Sequence, residues 1–130
     1  MAPARILIVE DDELTALVER AVLEAAGFAV EDVRTGEEAL ERLATAPFDA
    51  VVLDLMLPGL RGDDVLRALT PERLATLPVV VVSGYDDPRR KEALDALGAA
   101  DYLVKDSHML VFNILPRRLQ ELIAQRAAKG

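Results

Sequence analysis

The 130 residues carry a formal net charge of −8; 52% are hydrophobic, 29% are charged and none is cysteine. This length suits one domain with its own core, and the lack of cysteine excludes disulfide bonds and thiolate metal sites. The acidic balance argues against direct nucleic-acid binding, which normally uses a basic surface, and no apolar run approaches the roughly 20 residues of a membrane span.

The first part of the chain alternates short apolar runs with stretches of helical spacing. Ile6–Val9 predicts a strand, and the partly polar Ala29–Val33 predicts a weaker edge strand. Gly27 predicts the end of the helix between them, and Thr35 with Glu38 forms a capping-box pattern before the next helix. The apolar positions that indicate the first helix are Leu14, Leu17, Val18, Ala21, Val22 and Ala25.

Three further apolar runs predict strands at Ala50–Leu53, Val79–Val82 and Tyr102–Val104. Helical stretches separate all five predicted strands. Continuous apolar runs imply a parallel sheet that is covered on both faces and joined by right-handed crossovers. The predicted fold class is therefore α/β, with ligands expected outside the carboxyl ends of the strands.

The later helices are predicted largely from their ends. Asp87 followed by Pro88 is typical of an N-cap and a first helical position, and Gly98 predicts the end of that helix. Pro116 is expected in the first turn of the last helix, because proline fits there better than in a helix middle. The apolar positions that support a helix after the Pro58–Gly59 loop and the last helix are Val65, Leu66, Leu69, Leu119, Leu122 and Ile123.

Polar side chains follow four of the predicted strands. They are Glu10, Asp11, Asp12 and Glu13 after the first strand, Asp54 after the third, Ser83 and Gly84 after the fourth, and Lys105 after the fifth. Crowded carboxylates repel one another unless a cation is present, and a few oxygen ligands suit Mg²⁺. A carboxylate can also attack phosphorus, and Lys105 and the Ser83 hydroxyl can stabilise phosphoryl oxygens. Each residue taken singly also fits an ordinary loop, helix cap or solvated charge.

Four segments together resemble the receiver domains of bacterial response regulators. They are Val9–Asp12, Val52–Gly59, Val82–Gly84 and Gly98–Lys105. The resemblance covers about residues 5 to 125 and implies a single receiver domain over 1–130. It also implies a flavodoxin-like parallel sheet with strand order 2-1-3-4-5. The function implied is a phosphoacceptor switch of two-component signalling, whose catalysis is limited to its own phosphorylation and autodephosphorylation.

The resemblance further implies the roles of the acidic residues. Asp54 is implied as the phosphorylation site, and Glu10 and Asp11 as the acidic pair of the metal site. Asp11, Asp54 and the backbone carbonyl of Met56 are expected to contact Mg²⁺, the implied cofactor.

The remaining site residues are implied to act on the phosphoryl group and on the switch. Ser83, Gly84 and Lys105 are expected to bind the phosphoryl oxygens. Tyr102 is expected to turn inward when Ser83 moves toward the phosphate. An ordinary half-buried strand tyrosine is the alternative.

The sequence departs from the receiver pattern after Lys105, where Asp106 stands in place of the usual proline. A trans peptide and a repositioned loop are expected, because a cis bond without proline costs about 3 kcal/mol. The segment from Ser107 to Asn113 and the adjacent Ile114 are unusually apolar; a core role is favoured over an exposed partner patch. His108 is expected to face solvent.

Two large side chains are expected to prolong the phosphorylated state. Met56 and Tyr85 lie two residues after Asp54 and Ser83, where by resemblance they flank the path of the hydrolytic water. Slow autodephosphorylation, over minutes or longer, is therefore predicted. Unchanged decay in Met56→Asn and Tyr85→Ala would contradict this prediction.

Two other functions compete with the switch as interpretations of this sequence. A haloacid-dehalogenase-type phosphatase needs a second acid two residues after its nucleophile, where Met56 stands. A pseudo-receiver that only binds partners is favoured by loss of Asp54, the acidic pair or Lys105, and none is lost.

The implied partners are a sensor histidine kinase or phosphotransfer protein and an output domain or partner protein. The output is expected to dock on the face of the fourth predicted helix, fifth strand and fifth helix, and a phosphorylation-dependent homodimer is a further implication. The basic residues of that face could meet an acidic partner or form a solvated surface, and both interpretations stay open. These residues are Arg89, Arg90, Lys91, Arg117 and Arg118.

A cytoplasmic location is expected. The few residues from 126 to 130 leave open a single-domain regulator and a receiver of a longer protein.

Overall fold

The computed structural model describes residues 2–84, 87–105 and 111–129, and within them strands and helices alternate. The strands are β1 (Arg5–Val9), β2 (Ala29–Val33), β3 (Ala50–Asp54), β4 (Val79–Ser83) and β5 (Asp101–Val104). The helices are α1 (Glu13–Ala25), α2 (Gly36–Thr45), α3 (Gly62–Ala68), α4 (Pro71–Thr76), α5 (Pro88–Ala96) and α6 (Val111–Lys129). In this part of the chain no helix is both long and apolar enough to cross a membrane.

The five strands form one parallel sheet with the order β2-β1-β3-β4-β5, which confirms the predicted fold class and strand order. Strands β3 and β4 are buried throughout, whereas β2 is a partly exposed edge strand, as predicted. The register places Val9 beside Leu53 and Asp54 beside Val82. The carboxyl ends of β1, β3, β4 and β5 therefore lie along one rim of the sheet.

The core lies on both faces of the sheet, because successive strand side chains point to opposite faces. Leu7 and Val9 of β1 belong to the cluster that α2 to α5 cover, whereas Ile6 and Ile8 belong to the cluster that α1 and α6 cover. The helix side chains that complete these clusters include Leu43, Leu66, Leu74 and Leu94 on the first face, and Leu23 and Leu119 on the second.

Helix α1 confirms the predicted helix, but the apolar positions that indicated it do not all face the core. Val18 and Val22 pack against the core as expected, but Leu14 and Leu17 are 69% and 62% exposed. The buried positions are Ala16, Glu19 and Leu23. Apolar residues therefore lie on two sides of this helix, and a glutamate interrupts the stripe that faces the sheet.

Helix α4 lies where the sequence predicted no helix. Its six residues are too few to show a helical period, although its start carries ordinary signals. The Thr70 hydroxyl accepts a hydrogen bond from the Arg73 amide at 3.1 Å, and Pro71 occupies the first helical turn. With this extra helix, the predicted fourth and fifth helices correspond to α5 and α6.

Helix α6 corrects two predictions. It begins at Val111, so Pro116 lies inside the helix rather than in its first turn. A proline there removes one helical hydrogen bond, and the fully buried Leu115 and Leu119 on either side hold the helix against the sheet. Ile114, which was expected in the core, is 52% exposed. The predictions for Tyr85, the peptide bond to Asp106, His108 and the side chains before Asn113 lie outside the described residues.

Candidate functional site

Three carboxyl groups meet at the carboxyl ends of β1 and β3. Carboxylate oxygens of Glu10, Asp11 and Asp54 all lie within 4.8 Å of one another. Glu10 and Asp54 are buried, whereas Asp11 is exposed, so the cluster is open to solvent on one side. A small set of oxygen donors with an open side fits Mg²⁺, which retains several waters.

Lys105 brings a positive charge to this cluster. Its Nζ atom lies 2.6 Å from Glu10 Oε1 and 3.6 Å from Asp54 Oδ2. The Lys105 amide donates to the Ser83 carbonyl at 2.7 Å, which continues the pairing of β4 with β5 to the rim. The backbone therefore fixes where the lysine side chain begins.

The loop after β3 holds the Asp54 carboxylate in place. The Met56 amide donates to Asp54 Oδ1 at 3.1 Å. Gly62 packs so closely on this loop that an added Cβ would lie 2.6 Å from the Asp54 carbonyl oxygen. Only glycine fits this approach. The role of Gly62 was not predicted, although a glycine just after the loop was a signal for it. The Met56 side chain is 41% exposed, and its sulfur lies 3.8 Å from an Arg61 nitrogen.

The remaining predicted site residues lie on β4, β5 and the turn after β4. Ser83 is fully buried at the end of β4, opposite Val104 in the register, and Gly84 is exposed. Tyr102 is 7% exposed and belongs to a core cluster, so it is buried rather than half-buried. The roles of these residues in phosphoryl binding and switching stay predictions.

The charges in the cluster are not balanced. Burial, reinforced by the Asp54 carboxyl, raises the pKa of Glu10 to about 8 even though Lys105 acts in the opposite direction. Burial of Lys105 acts to lower its pKa, but the hydrogen bond to Glu10 and the charge of Asp54 outweigh it, so the pKa is raised. The single lysine therefore does not offset the crowded carboxyl groups, and a divalent cation fits the remaining negative charge.

A fourth carboxyl group, which the sequence analysis missed, lies behind Glu10. Glu19 of α1 is 1% exposed, and burial raises its pKa to about 7. Its side chain shares a hydrogen bond with Glu10, and its Oε1 atom has no hydrogen-bond partner among the described residues. The available signal was an acid spaced between Ala16 and Leu23 on one helical stripe.

On the predicted docking face of α5, β5 and α6, one basic side chain already forms ion pairs within the chain. Arg118 Nε lies 2.6 Å from Asp101 Oδ2, and the Arg118 guanidinium also lies 3.3 Å from Glu121. The cations on this face that are exposed to solvent are Arg89, Arg90, Lys91 and Arg117.

Comparison with known proteins identifies relatives along most of the chain. A family model described as the response regulator receiver domain matches residues 6–112. The cell cycle transcriptional regulator CtrA of Caulobacter vibrioides is 36% identical over 80% of this chain and 45% of its own length. The transcriptional regulatory protein YkoG of Bacillus subtilis is 38% identical over 98% of this chain and 52% of its own length. The chain thus spans about half the length of these curated relatives.

Solved structures agree with these relatives. A CheY-like receiver domain protein of Methanospirillum hungatei superposes with a TM-score of 0.88 at 25% identity, covering 98% of this chain and 99% of that one. A sensor protein of Polaromonas sp. gives a TM-score of 0.80 at 32% identity, covering 95% and 98%. The shared sheet order, the matched sequence over residues 6–112 and these superpositions lead to one conclusion: the chain belongs to the response regulator receiver domain family.

Proposed function

We propose that residues 1–130 work as one phosphoacceptor switch, in which Asp54 takes a phosphoryl group from a sensor histidine kinase or a phosphotransfer protein. One observation carries this proposal. The Asp54 carboxyl lies within 4.8 Å of the Glu10 and Asp11 carboxyl oxygens and 3.6 Å from the Lys105 ammonium, at a rim that is open to solvent. The apolar Met56 at the second position after Asp54 disfavours the phosphatase alternative, which needs an acid there.

In the proposed reaction, an Asp54 carboxylate oxygen attacks the phosphorus of a phosphohistidine. The new O–P bond forms as the P–N bond breaks, and the imidazole leaves with the electron pair of that bond. The Met56 amide holds Asp54 Oδ1 and so orients the carboxylate. The Lys105 ammonium and the Ser83 hydroxyl stabilise phosphoryl oxygens, with the Gly84 backbone beside them.

The donor set favours Mg²⁺ as the cofactor. Asp11, Asp54 and the Met56 carbonyl would hold it, with Glu10 next to them. When bound, Mg²⁺ supplies charge neutralisation for the transferring phosphoryl group. The relatives include a solved Mn²⁺-bound form of the response regulator Rcp1, 25% identical over 88% of this chain, which supports a divalent cation here.

We propose that changes at Ser83 and Tyr102 transmit phosphorylation to the output partner. Ser83 ends β4 and Tyr102 lies on β5, beside the α5–β5–α6 face. Because Arg118 is already paired with Asp101, an acidic output partner would meet the exposed cations of α5 instead. A homodimer formed on phosphorylation would use the same face. We also propose a cytoplasmic location, which the absence of cysteine fits. Direct nucleic-acid binding is not expected, because the net charge is −8.

The phosphodonor is proposed to approach over the first turns of α1. A histidine that reaches Asp54 must come close to the rim, and α1 begins two residues after Asp11. Leu14 and Leu17 are exposed there and lie three positions apart, so they present apolar area on one side of the helix. Burying both side chains against the donor would contribute to its binding.

The decisive test is acyl-phosphate formation. With Mg²⁺ and acetyl phosphate, the protein is expected to gain one labile phosphoryl group, detected by intact mass and phosphorus NMR. Asp54→Asn is expected to abolish it. Asp63→Asn is the matched control, because Asp63 lies on α3 and pairs with Arg67, and it should leave the adduct unchanged. An adduct that persists in Asp54→Asn would refute the assignment.

The donor surface is tested separately from the chemistry. Leu14→Ser combined with Leu17→Ser is expected to slow transfer from a phosphorylated histidine phosphotransfer domain by about tenfold, the equivalent of about 1.4 kcal/mol. Uptake from acetyl phosphate, which needs no docking, should stay at the wild-type rate. Equal slowing with both donors would mean that the variant damages the site and would refute the docking surface.

A further inference from the structure

Glu19 is a buried carboxyl group for which the proposed phosphotransfer has no use. It lies on the buried stripe of α1, and its stripe neighbours Ala16 and Leu23 are apolar. The residue is 1% exposed, as buried as the hydrophobic core around it. A carboxyl in such a place costs free energy unless its oxygens are satisfied.

Only part of that cost is offset. Glu19 shares a hydrogen bond with the Glu10 carboxyl, but its Oε1 atom has no partner in the described part of the chain. An apolar side chain of similar volume would fit the stripe without an unsatisfied oxygen, so packing alone does not account for a glutamate here. The feature that a leucine would lack is the contact with Glu10.

Glu10 also binds two groups at the rim of the sheet. Glu10 Oε1 binds the Lys105 ammonium at 2.6 Å, and its Oε2 accepts from the Asp12 amide at 3.3 Å. Glu19 thus touches Glu10 from the interior, while Lys105 and the Asp12 backbone touch it from the rim. Lys105 in turn reaches Asp54, so the orientation of Glu10 is linked to the position of the phosphoacceptor's cation.

We propose that Glu19 is a positioning residue for the cation site: its buried carboxyl contacts Glu10 on the interior side and holds that side chain in place. This inference rests on the proposed Mg²⁺ function. Glu19 does not itself reach the cluster of Glu10, Asp11 and Asp54 oxygens that would hold the ion. Its effect is therefore expected on the affinity for Mg²⁺ and not on the chemistry of Asp54.

The test compares two substitutions of Glu19 with a control on the same helix. Glu19→Leu removes both the charge and the hydrogen bond, whereas Glu19→Gln keeps the shape and a hydrogen bond but removes the charge. Leu23→Ala is the control, because Leu23 lies on the same buried stripe one helical turn after Glu19 and packs in the core cluster with Ile6 and Ile8. Mg²⁺ affinity is measured by calorimetric titration, and folding by circular dichroism.

Glu19→Leu is expected to weaken Mg²⁺ binding about tenfold, whereas Glu19→Gln, which keeps a hydrogen bond to Glu10, should retain the wild-type affinity. Leu23→Ala is expected to leave the affinity unchanged and to lower the melting temperature. Phosphoryl uptake from acetyl phosphate by Glu19→Leu should recover at saturating Mg²⁺. Wild-type affinity in both Glu19 variants, with Asp11→Asn failing to bind, would overturn this inference alone. A wild-type protein that binds no Mg²⁺ would overturn the proposed function as well.

Discussion

Two glutamates of this fold form close ion pairs in very different surroundings. At the rim, Glu10 Oε1 lies 2.6 Å from Lys105 Nζ, and the Glu10 side chain is 2% exposed. At the sheet edge, Glu31 of β2 is bound by two nitrogens of Arg42 on α2, one of them at 2.9 Å, with a side chain that is 32% exposed. In each pair the glutamate lies on a strand or directly after one, and the nitrogen–oxygen distances are similar, so distance does not distinguish the two pairs.

The pKa values of the two glutamates are shifted in opposite directions. The Arg42 hydrogen bond lowers the pKa of Glu31, the usual result for a paired surface carboxyl. Burial and the neighbouring Asp54 raise the pKa of Glu10 to about 8 despite its lysine. The difference shows that solvent and further carboxyl groups, rather than the presence of a cation, decide whether a paired glutamate favours its charged form. The edge pair stabilises the fold, whereas at the rim the negative charge available to a ligand comes from the neighbouring Asp11 and Asp54 carboxylates.

The largest difference is expected when each cation is removed. In metal-free buffer at pH 8, Lys105→Met is expected to reduce the free energy of unfolding by about 3 kcal/mol, or roughly 10 °C in melting temperature, because it strands buried carboxyl groups. Arg42→Met should shift the melting temperature by less than about 2 °C, because water solvates Glu31 after the loss. Thermal unfolding followed by circular dichroism measures both. Equal shifts would show that burial does not separate the two pairs.

The pH dependence of stability should follow the buried pair. Glu10 and Glu19 have pKa values of about 8 and about 7 in the folded protein, above the ordinary value of 4.5. Between pH 4.5 and these raised pKa values, the two carboxyl groups lose their protons in the unfolded chain but keep them in the folded protein. Rising pH therefore favours unfolding. The contribution of Glu10 and Glu19 to the free energy of unfolding is fully present below pH 4.5 and is lost as the pH rises through 7 and 8.

Urea unfolding in EDTA is therefore expected to show a decrease on the order of 2 kcal/mol between pH 5 and pH 8. Glu31 acts in the opposite sense, since its lowered pKa contributes stability above the ordinary value that is lost in acid. Glu10→Gln should flatten the decrease, and so should saturating Mg²⁺, which favours the charged carboxyl groups. Stability that rises from pH 5 to pH 8 without metal would contradict the imbalance at the rim.

The contrast also explains what the sequence could and could not predict. Asp54 ends β3 and Lys105 directly follows β5, so a parallel sheet brings them to one rim, and this placement could be predicted from the strand pattern. The rotation of α1 did not follow, because Leu14 and Leu17 compete with the true buried stripe and its Glu19 breaks the apolar period. The contact between Glu10 and Lys105 joins residues 95 positions apart, so it could not be predicted from local sequence. The burial that sets the direction of the Glu10 pKa shift depends on packing from both faces of the sheet.

The smallest expected effect is the response of the two pairs to salt. Raising NaCl from 0.05 to 0.5 M shortens the Debye length from roughly 14 Å to roughly 4 Å, which screens solvent-exposed charges far more than buried ones. In a double-mutant cycle of Glu31→Gln with Arg42→Met, the coupling is expected to fall by about half over this range. The matching cycle of Glu10→Gln with Lys105→Met should change by less than a quarter, because protein rather than solvent surrounds the Glu10 carboxyl. A rim coupling that falls as steeply as the edge coupling would mean that water and ions reach Glu10 freely, and the raised pKa of Glu10 would then need a cause other than burial.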